Sequence, residues 1–202
     1  MAFIRTVPDH EAAGTPVAEL YDEERASWGY VPNFAATFAL RPGVYEAWKQ
    51  LNAAVKSSMD SRRYELATVA AAAALRSSYC TLAHGRVLAQ RFMAPEGVVQ
   101  FLVDRAAAPL DDAERAVVGY AEKVALGADQ VSQEDVDVLR EQGLTDEEIL
   151  DVALAAAARC FFSKVLDATG TEPDAAFGAL EPGLREALTV GRPIEADRGR
   201  EA

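Results

Sequence analysis

Cysteine and histidine are both scarce in this chain, with two of each among its 202 residues. Cys80 and Cys160 stand eighty positions apart and make no disulfide framework, which fits a reducing compartment. Basic charge is short as well: 20 Lys and Arg against 32 Asp and Glu leave a net charge of −12 and a pI near 4.6. Nucleic acid and anionic membrane surfaces both call for a basic patch, so neither is expected as a partner. Long apolar runs are missing too. The longest, Leu66 to Leu75, falls far below the roughly 20 residues that cross a bilayer, and the N-terminus lacks the apolar stretch of a signal peptide. A cytoplasmic protein that does not enter membranes is the expectation.

What is abundant is alanine. Half of the residues are apolar and few β-branched alternations occur, which predicts an all-α fold of roughly eight to ten helices. One domain over residues 1–180 is expected, including an N-terminal wrapping segment, followed by a C-terminal tail over 181–202 that is partly disordered. Predicted helices cover Pro16 to Ser27, Asn33 to Leu40, Pro42 to about Met59, Asp60 or Ser61 to Arg76, and a start near Ser77 or Ser78 running to about Phe92. Others follow from Pro95 to Val103, from Leu110 to Leu126, behind Val131, and behind a Thr145-x-x-Glu148 capping box as far as Ala168. Between the early helices, Trp28 to Asn33 reads as a loop that either packs over the core or walls a pocket. The alanine-rich stretches Ala67–Ala74 and Ala153–Ala158 let helices approach closely, in the core or against another subunit. His10, in a polar segment, reads as a solvated surface residue.

Chemistry concentrates in Ser77-Ser78-Tyr79-Cys80-Thr81-Leu82-Ala83-His84. Residues i and i+4 share a helical face, so His84 can hydrogen-bond the Cys80 sulfur or take its proton. With Ser77 or Ser78 as N-cap, Cys80 falls in the first turn, where unpaired N–H groups and the helix dipole favour a thiolate. The competing reading of such a cysteine is a small buried hydrophobe. Glu65 is an acid inside an otherwise nearly uncharged run, where burial would raise its pKa toward a proton-transfer role. An unbroken helix would hold Glu65 and Cys80 about 22 Å apart, so a joint site requires a break near Arg76 to Ser78. Cys160, ahead of Phe161 and Phe162, reads as a buried hydrophobe. One Cys, one His and one Glu are too few ligands for a closed zinc site, and no cofactor is expected.

These residues resemble the signature of the alkylhydroperoxidase-D-like proteins, the superfamily that includes the carboxymuconolactone decarboxylases, in its peroxidase-related branch. There a Glu is followed, after eleven residues, by Cys-x-x-Cys-x-x-x-His. Glu65, Cys80 and His84 match the acid, the second cysteine and the histidine, and Ser77 stands where the first cysteine is expected. Weaker matches extend through Val31-Pro32-Asn33, the Leu139 to Gly143 turn, Asp146 to Ile149 and Leu166 to Gly170. The resemblance implies an all-α fold, homo-oligomers such as trimers or hexamers with a dimer as a smaller option, and reduction of a small-molecule peroxide by a thiol. It makes Cys80 the peroxidatic cysteine, His84 the proton shuttle and Glu65 the base behind it.

Serine at 77 removes the step in which a first cysteine resolves the sulfenic acid. Cys80 could then depend on an external thiol reductant, with Ser77 as cap or hydrogen-bond donor; Cys160 could resolve it, if disulfide geometry allows; or redox turnover is lost. The leading expectation is a peroxiredoxin-like thiol peroxidase acting on hydrogen peroxide or alkyl hydroperoxides. A second is a decarboxylase-like lyase on a small carboxylated lactone, with Glu65 and His84 moving protons and Arg76, Arg62 or Arg63 holding the carboxylate. A third is a non-enzymatic oligomeric scaffold with a vestigial site.

Overall fold

Capping chemistry sets where the main helices begin. In a computed structural model that describes residues 2–196, the Asp60 carboxylate accepts the Arg63 N–H at 2.9 Å and starts α5 (Ser61–Ala74). Asp111 and Glu114 form a reciprocal capping box at α8 (Asp112–Gly127), and Thr145 and Glu148 form another at α10 (Asp146–Thr169). Gly170, with φ of 71°, closes α10 in the left-handed region. The remaining helices are α1 (Asp9–Ala12), α2 (Pro16–Trp28), α3 (Asn33–Phe38), α4 (Pro42–Ser58), α6 (Ser78–Arg91), α7 (Pro95–Val103), α9 (Gln133–Glu141) and α11 (Pro182–Leu188). The described residues form no strand, and the fold is all-α.

Helix α5 is the centre of the molecule. Every residue from Tyr64 to Ala72 is buried, and the small side chains allow α6, α8 and α10 to pack directly around it. The helix stops where the serine pair indicated. Arg76 takes a φ of 57°, unusual for a side-chain-bearing residue, Ser77 is extended, and α6 restarts at Ser78. This sharp reversal folds α6 back along α5.

The described residues form eleven α-helices against the expected eight to ten, because two short ones, α1 and α11, carry little periodic signal. Helix α11 lies inside the segment from residue 181 that is expected as a partly disordered tail. Glu181 accepts the N–H groups of Gly183 at 3.0 Å and Leu184 at 2.8 Å, which starts the helix, and Leu184 and Leu188 are buried. Leu188 lies on Gly85, where an added Cβ would meet it at 2.1 Å, and its carbonyl accepts the Thr81 hydroxyl at 2.5 Å. The Gly191 N–H donates to Ser78 Oγ at 2.7 Å, so residues beyond α11 strap the start of α6. The rest of the expected tail, 197–202, lies outside the described residues.

Candidate active site

The reversal at Arg76 brings the sequence-predicted acid and histidine together. His84 Nδ1 lies 2.6 Å from Glu65 Oε2, with Glu65 only 2% exposed. Lys56, on α4, places its ammonium 3.8 Å from the other Glu65 oxygen. Burial acts to raise the Glu65 pKa, but His84, Lys56 and Arg159 outweigh it and the carboxyl is held below its ordinary value. This corrects the expectation of a raised acid: Glu65 is an ionised acceptor. His84 is also shifted down, by burial first and by the Arg159 charge second, against the pull of Glu65. The consistent state is a neutral imidazole whose Nδ1–H donates to Glu65, leaving Nε2 as the basic nitrogen.

Cys80 is 2% exposed and sits in the first turn of α6. Its sulfur accepts a hydrogen bond from Arg159 Nη1 at 3.5 Å. Arg159 is itself buried at 4% exposure, with its guanidinium 5.9 Å from the Trp48 ring centroid and 5.7 Å from that of Phe162. Burial opposes its charge, yet Cys80 and Tyr64 beside it raise its pKa and keep it cationic. A full positive charge therefore stands within hydrogen-bond reach of whatever negative charge forms on the sulfur.

Cys80, His84, Arg159 and Lys56 line one cavity of about 520 Å³. Its walls are aromatic, including Trp28, Phe34, Trp48 and Phe162, so the Trp28 loop both packs on the core and walls the pocket. Phe162 stacks on Trp48 with centroids 5.0 Å apart, and Phe34 meets Phe162 edge-on at 5.6 Å.

Other expected residues fall elsewhere. Ser77 is the N-cap of α6, but its hydroxyl makes no capping bond; it is fully buried, close to Asp167, and does not line the cavity. Arg62 pairs with Glu114, Arg63 donates to Glu148 at 2.6 Å, and Arg76 is exposed at the reversal, so none of the three supplies a cation to the cavity. Cys160 is half-buried, donates toward the Ala125 carbonyl on α8 at 4.0 Å and does not line the cavity. Adjacent helical residues point about 100° apart, which separates Cys160 from the face that gives Arg159 to Cys80. Among the described residues no group of three or more His, Cys, Asp or Glu side chains is arranged to hold a metal ion.

Arg159 is the residue that sequence reasoning missed. It is the only charged side chain between Asp151 and Lys164, as Glu65 is between Arg63 and Arg76. A lone charge in an apolar helix was the signal that found Glu65, and applied to α10 it finds Arg159.

Residues 42–123, which span α4 to α8 and carry Glu65, Cys80 and His84, match the model of the carboxymuconolactone decarboxylase family. No curated protein matches the chain. Among solved structures, the alkylhydroperoxidase AhpD core of an uncharacterized peroxidase-related protein from Ralstonia eutropha JMP134 is 27% identical, with a TM-score of 0.77 over 87% of this chain and 94% of that one. A peroxidase-related protein from Silicibacter sp. TM1040 is 23% identical, with a TM-score of 0.75 over 86% and 94% of the two chains. The debrominase Bmp8 is 16% identical, with a TM-score of 0.71 over 91% and 96%. These last two likenesses show a shared fold.

Proposed function

This chain belongs to the alkylhydroperoxidase-D-like and carboxymuconolactone decarboxylase superfamily, and on that premise we propose that it is a one-cysteine thiol peroxidase, peroxiredoxin-like, reducing hydrogen peroxide or alkyl hydroperoxides. The observation that carries this reading is the Arg159 hydrogen bond to Cys80 in the cavity that also holds the Glu65-fixed His84.

In the proposed reaction, His84 Nε2 takes the Cys80 proton while Arg159 holds the thiolate. The sulfur attacks the terminal, hydrogen-bearing oxygen of the hydroperoxide. An S–O bond forms, the O–O bond breaks, and Cys80 is oxidised to its sulfenic acid as the peroxide is reduced. The departing alkoxide takes the proton from His84 and leaves as an alcohol, or as water when the substrate is hydrogen peroxide. An external thiol then attacks the sulfenic sulfur, releasing water and leaving a mixed disulfide, which a second thiol opens to return Cys80. Burial of Ser77 at the position of a resolving cysteine, and the placement of Cys160 toward α8, support dependence on an outside reductant.

A second reading has one observation in its favour. Arg159 and Lys56 give the cavity the cations that a carboxylated lactone would need beside a histidine base, which suits a decarboxylase-like lyase. The two readings part on Cys80→Ser: peroxide consumption with dithiothreitol as reductant drops to background in a peroxidase, whereas lyase turnover survives. We further place the protein in the cytoplasm as a homo-oligomer. Among the described residues no helix is long and apolar enough to cross a membrane, and both cysteines are free thiols, which fits that location.

A further inference from the structure

Helix α10 has one apolar face left open to solvent. Leu150, Leu154 and Phe161 are 58%, 40% and 44% exposed, and Ala157 is exposed with them. At about 100° per residue these four fall on one stripe, with exposed Glu147 one turn before it and exposed Lys164 one turn after it. The other sides of the helix are taken. Ala155, Ala156 and Arg159 are buried, Asp151 accepts the Ser58 hydroxyl of α4 at 2.7 Å, and Cys160 turns toward the Ala125 carbonyl of α8. Leu51 on α4 and Leu126 on α8 are exposed as well, so the two flanking helices add apolar surface. Single exposed apolar residues are ordinary, whereas a row of them along one helix face marks a contact surface.

The stripe has the same spacing read from either end. Glu147, Leu150, Leu154, Ala157, Phe161 and Lys164 follow one another at intervals of three, four, three, four and three residues, symmetric about a point between Ala155 and Ala156. These are the alternating intervals of a helix-pairing seam. A second α10 laid antiparallel, with a two-fold axis at that point, sets Leu150 against Phe161, Leu154 against Ala157 and Glu147 against Lys164 of the second copy.

The charges at the two ends select that arrangement. Of the chain's four lysines, Lys49, Lys56 and Lys123 stand in ion pairs, and Lys164 has none among the described residues. In the acidic start of α10, Asp146 pairs with Arg140 and Glu148 with Arg63, whereas Glu147 has no ion pair among the described residues. Antiparallel packing joins the two unpaired charges twice; parallel packing would set like against like. A chain of net charge −12 repels its own copies, which favours contact through an uncharged face whose ends are of opposite sign.

We propose that this stripe docks a second copy of the chain across a two-fold axis, α10 against antiparallel α10. The proposal rests on the homo-oligomer reading above and gives it a face, a register and an even number of subunits. Phe161 packs on Trp48, a wall of the cavity, with centroids 5.5 Å apart, so the interface backs onto the site.

Sedimentation velocity of the full chain tests it. The parent protein should sediment as a dimer or an even multiple, and Leu154→Glu, an exposed change close to the axis, should halve the assembly with the far-ultraviolet circular dichroism unchanged. Glu147→Lys and Lys164→Glu should each weaken association about tenfold, because each sets like charges opposite one another at two symmetric points, and the double swap should restore it. This charge series changes only exposed side chains and decides the matter even if Leu154→Glu fails to fold. A double swap no tighter than the single changes would overturn the antiparallel register, and an odd-numbered assembly would overturn the two-fold axis. An assembly that keeps its size in Leu154→Glu would overturn the face and leave the homo-oligomer reading standing; a monomeric parent protein would remove both.

Discussion

Glu65 and His84 are nineteen residues apart in the chain and 2.6 Å apart in space, joined by a reversal at Arg76 that turns α6 back along α5. The proposed chemistry depends on that contact, because Glu65 decides which nitrogen of His84 is left to act as a base.

The pH dependence of activity follows from the two neighbours of His84. Activity requires the neutral imidazole, so it should be constant at higher pH and fall as pH drops through a His84 pKa depressed below about 6.5. Glu65 raises that pKa and Arg159 lowers it. Glu65→Gln should therefore move the acid limb of kcat/KM to lower pH, and Arg159→Met should move it to higher pH. The plateau of Glu65→Gln should also fall about 100-fold, since its imidazole loses its fixed tautomer. Initial-rate pH profiles of the three proteins check both signs.

Arg159 should matter for its forked guanidinium as well as for its charge. Removing a donor aimed at developing negative charge costs on the order of 10²-fold in kcat, the expected loss for Arg159→Met. Arg159→Lys should recover only part of it, because a compact ammonium cannot hold the stacked position over Trp48 and Phe162. Peroxide consumption with dithiothreitol compares them, with cysteine alkylation rates as a second readout.

Restoring the missing cysteine should change the oxidised product. Ser77→Cys places a thiol one turn before Cys80, and peroxide should then leave a disulfide where the parent protein leaves a sulfenic acid. Non-reducing peptide mapping distinguishes the two.

The strap beyond α11 should behave as part of the core. Leu188 is fully buried, and Leu188→Ala should cost about 2–5 kcal/mol of stability. Gly85→Ala should also destabilise, since its Cβ would meet Leu188 at 2.1 Å. Combining them removes the clash, so the double variant should be more stable than the sum of the single losses indicates, in a denaturant-melt cycle.

Much of this architecture is legible in local chemistry. Pro16, Pro42 and Pro95 mark helix starts, Thr145 with Glu148 forms the capping box, and Gly170 ends α10. The reversal at Arg76 is legible because two serines interrupt an alanine-rich run and because Glu65 and Cys80 could not meet without it. What local reasoning lacks is the partner arriving from a distant helix. The ionisation of Glu65 depends on Lys56 from α4 and Arg159 from α10, and burial alone points to the opposite shift. The cation beside Cys80 comes from seventy-nine positions away, so nothing in the sequence around Cys80 announces it. The strap carries little local signal for a similar reason. Its seven-residue helix has only Leu184 and Leu188 to bury, and their partners Thr81 and Gly85 lie on α6.

The most direct test of the central claim is mass spectrometry of reduced protein after one equivalent of cumene hydroperoxide or hydrogen peroxide, with a sulfenic-acid trap and Cys80→Ser as control. Rapid trapping at Cys80, with Cys160 unmodified and no disulfide between them, is the predicted result. Oxidation of Cys80 no faster than that of a free thiol would contradict the peroxidase reading.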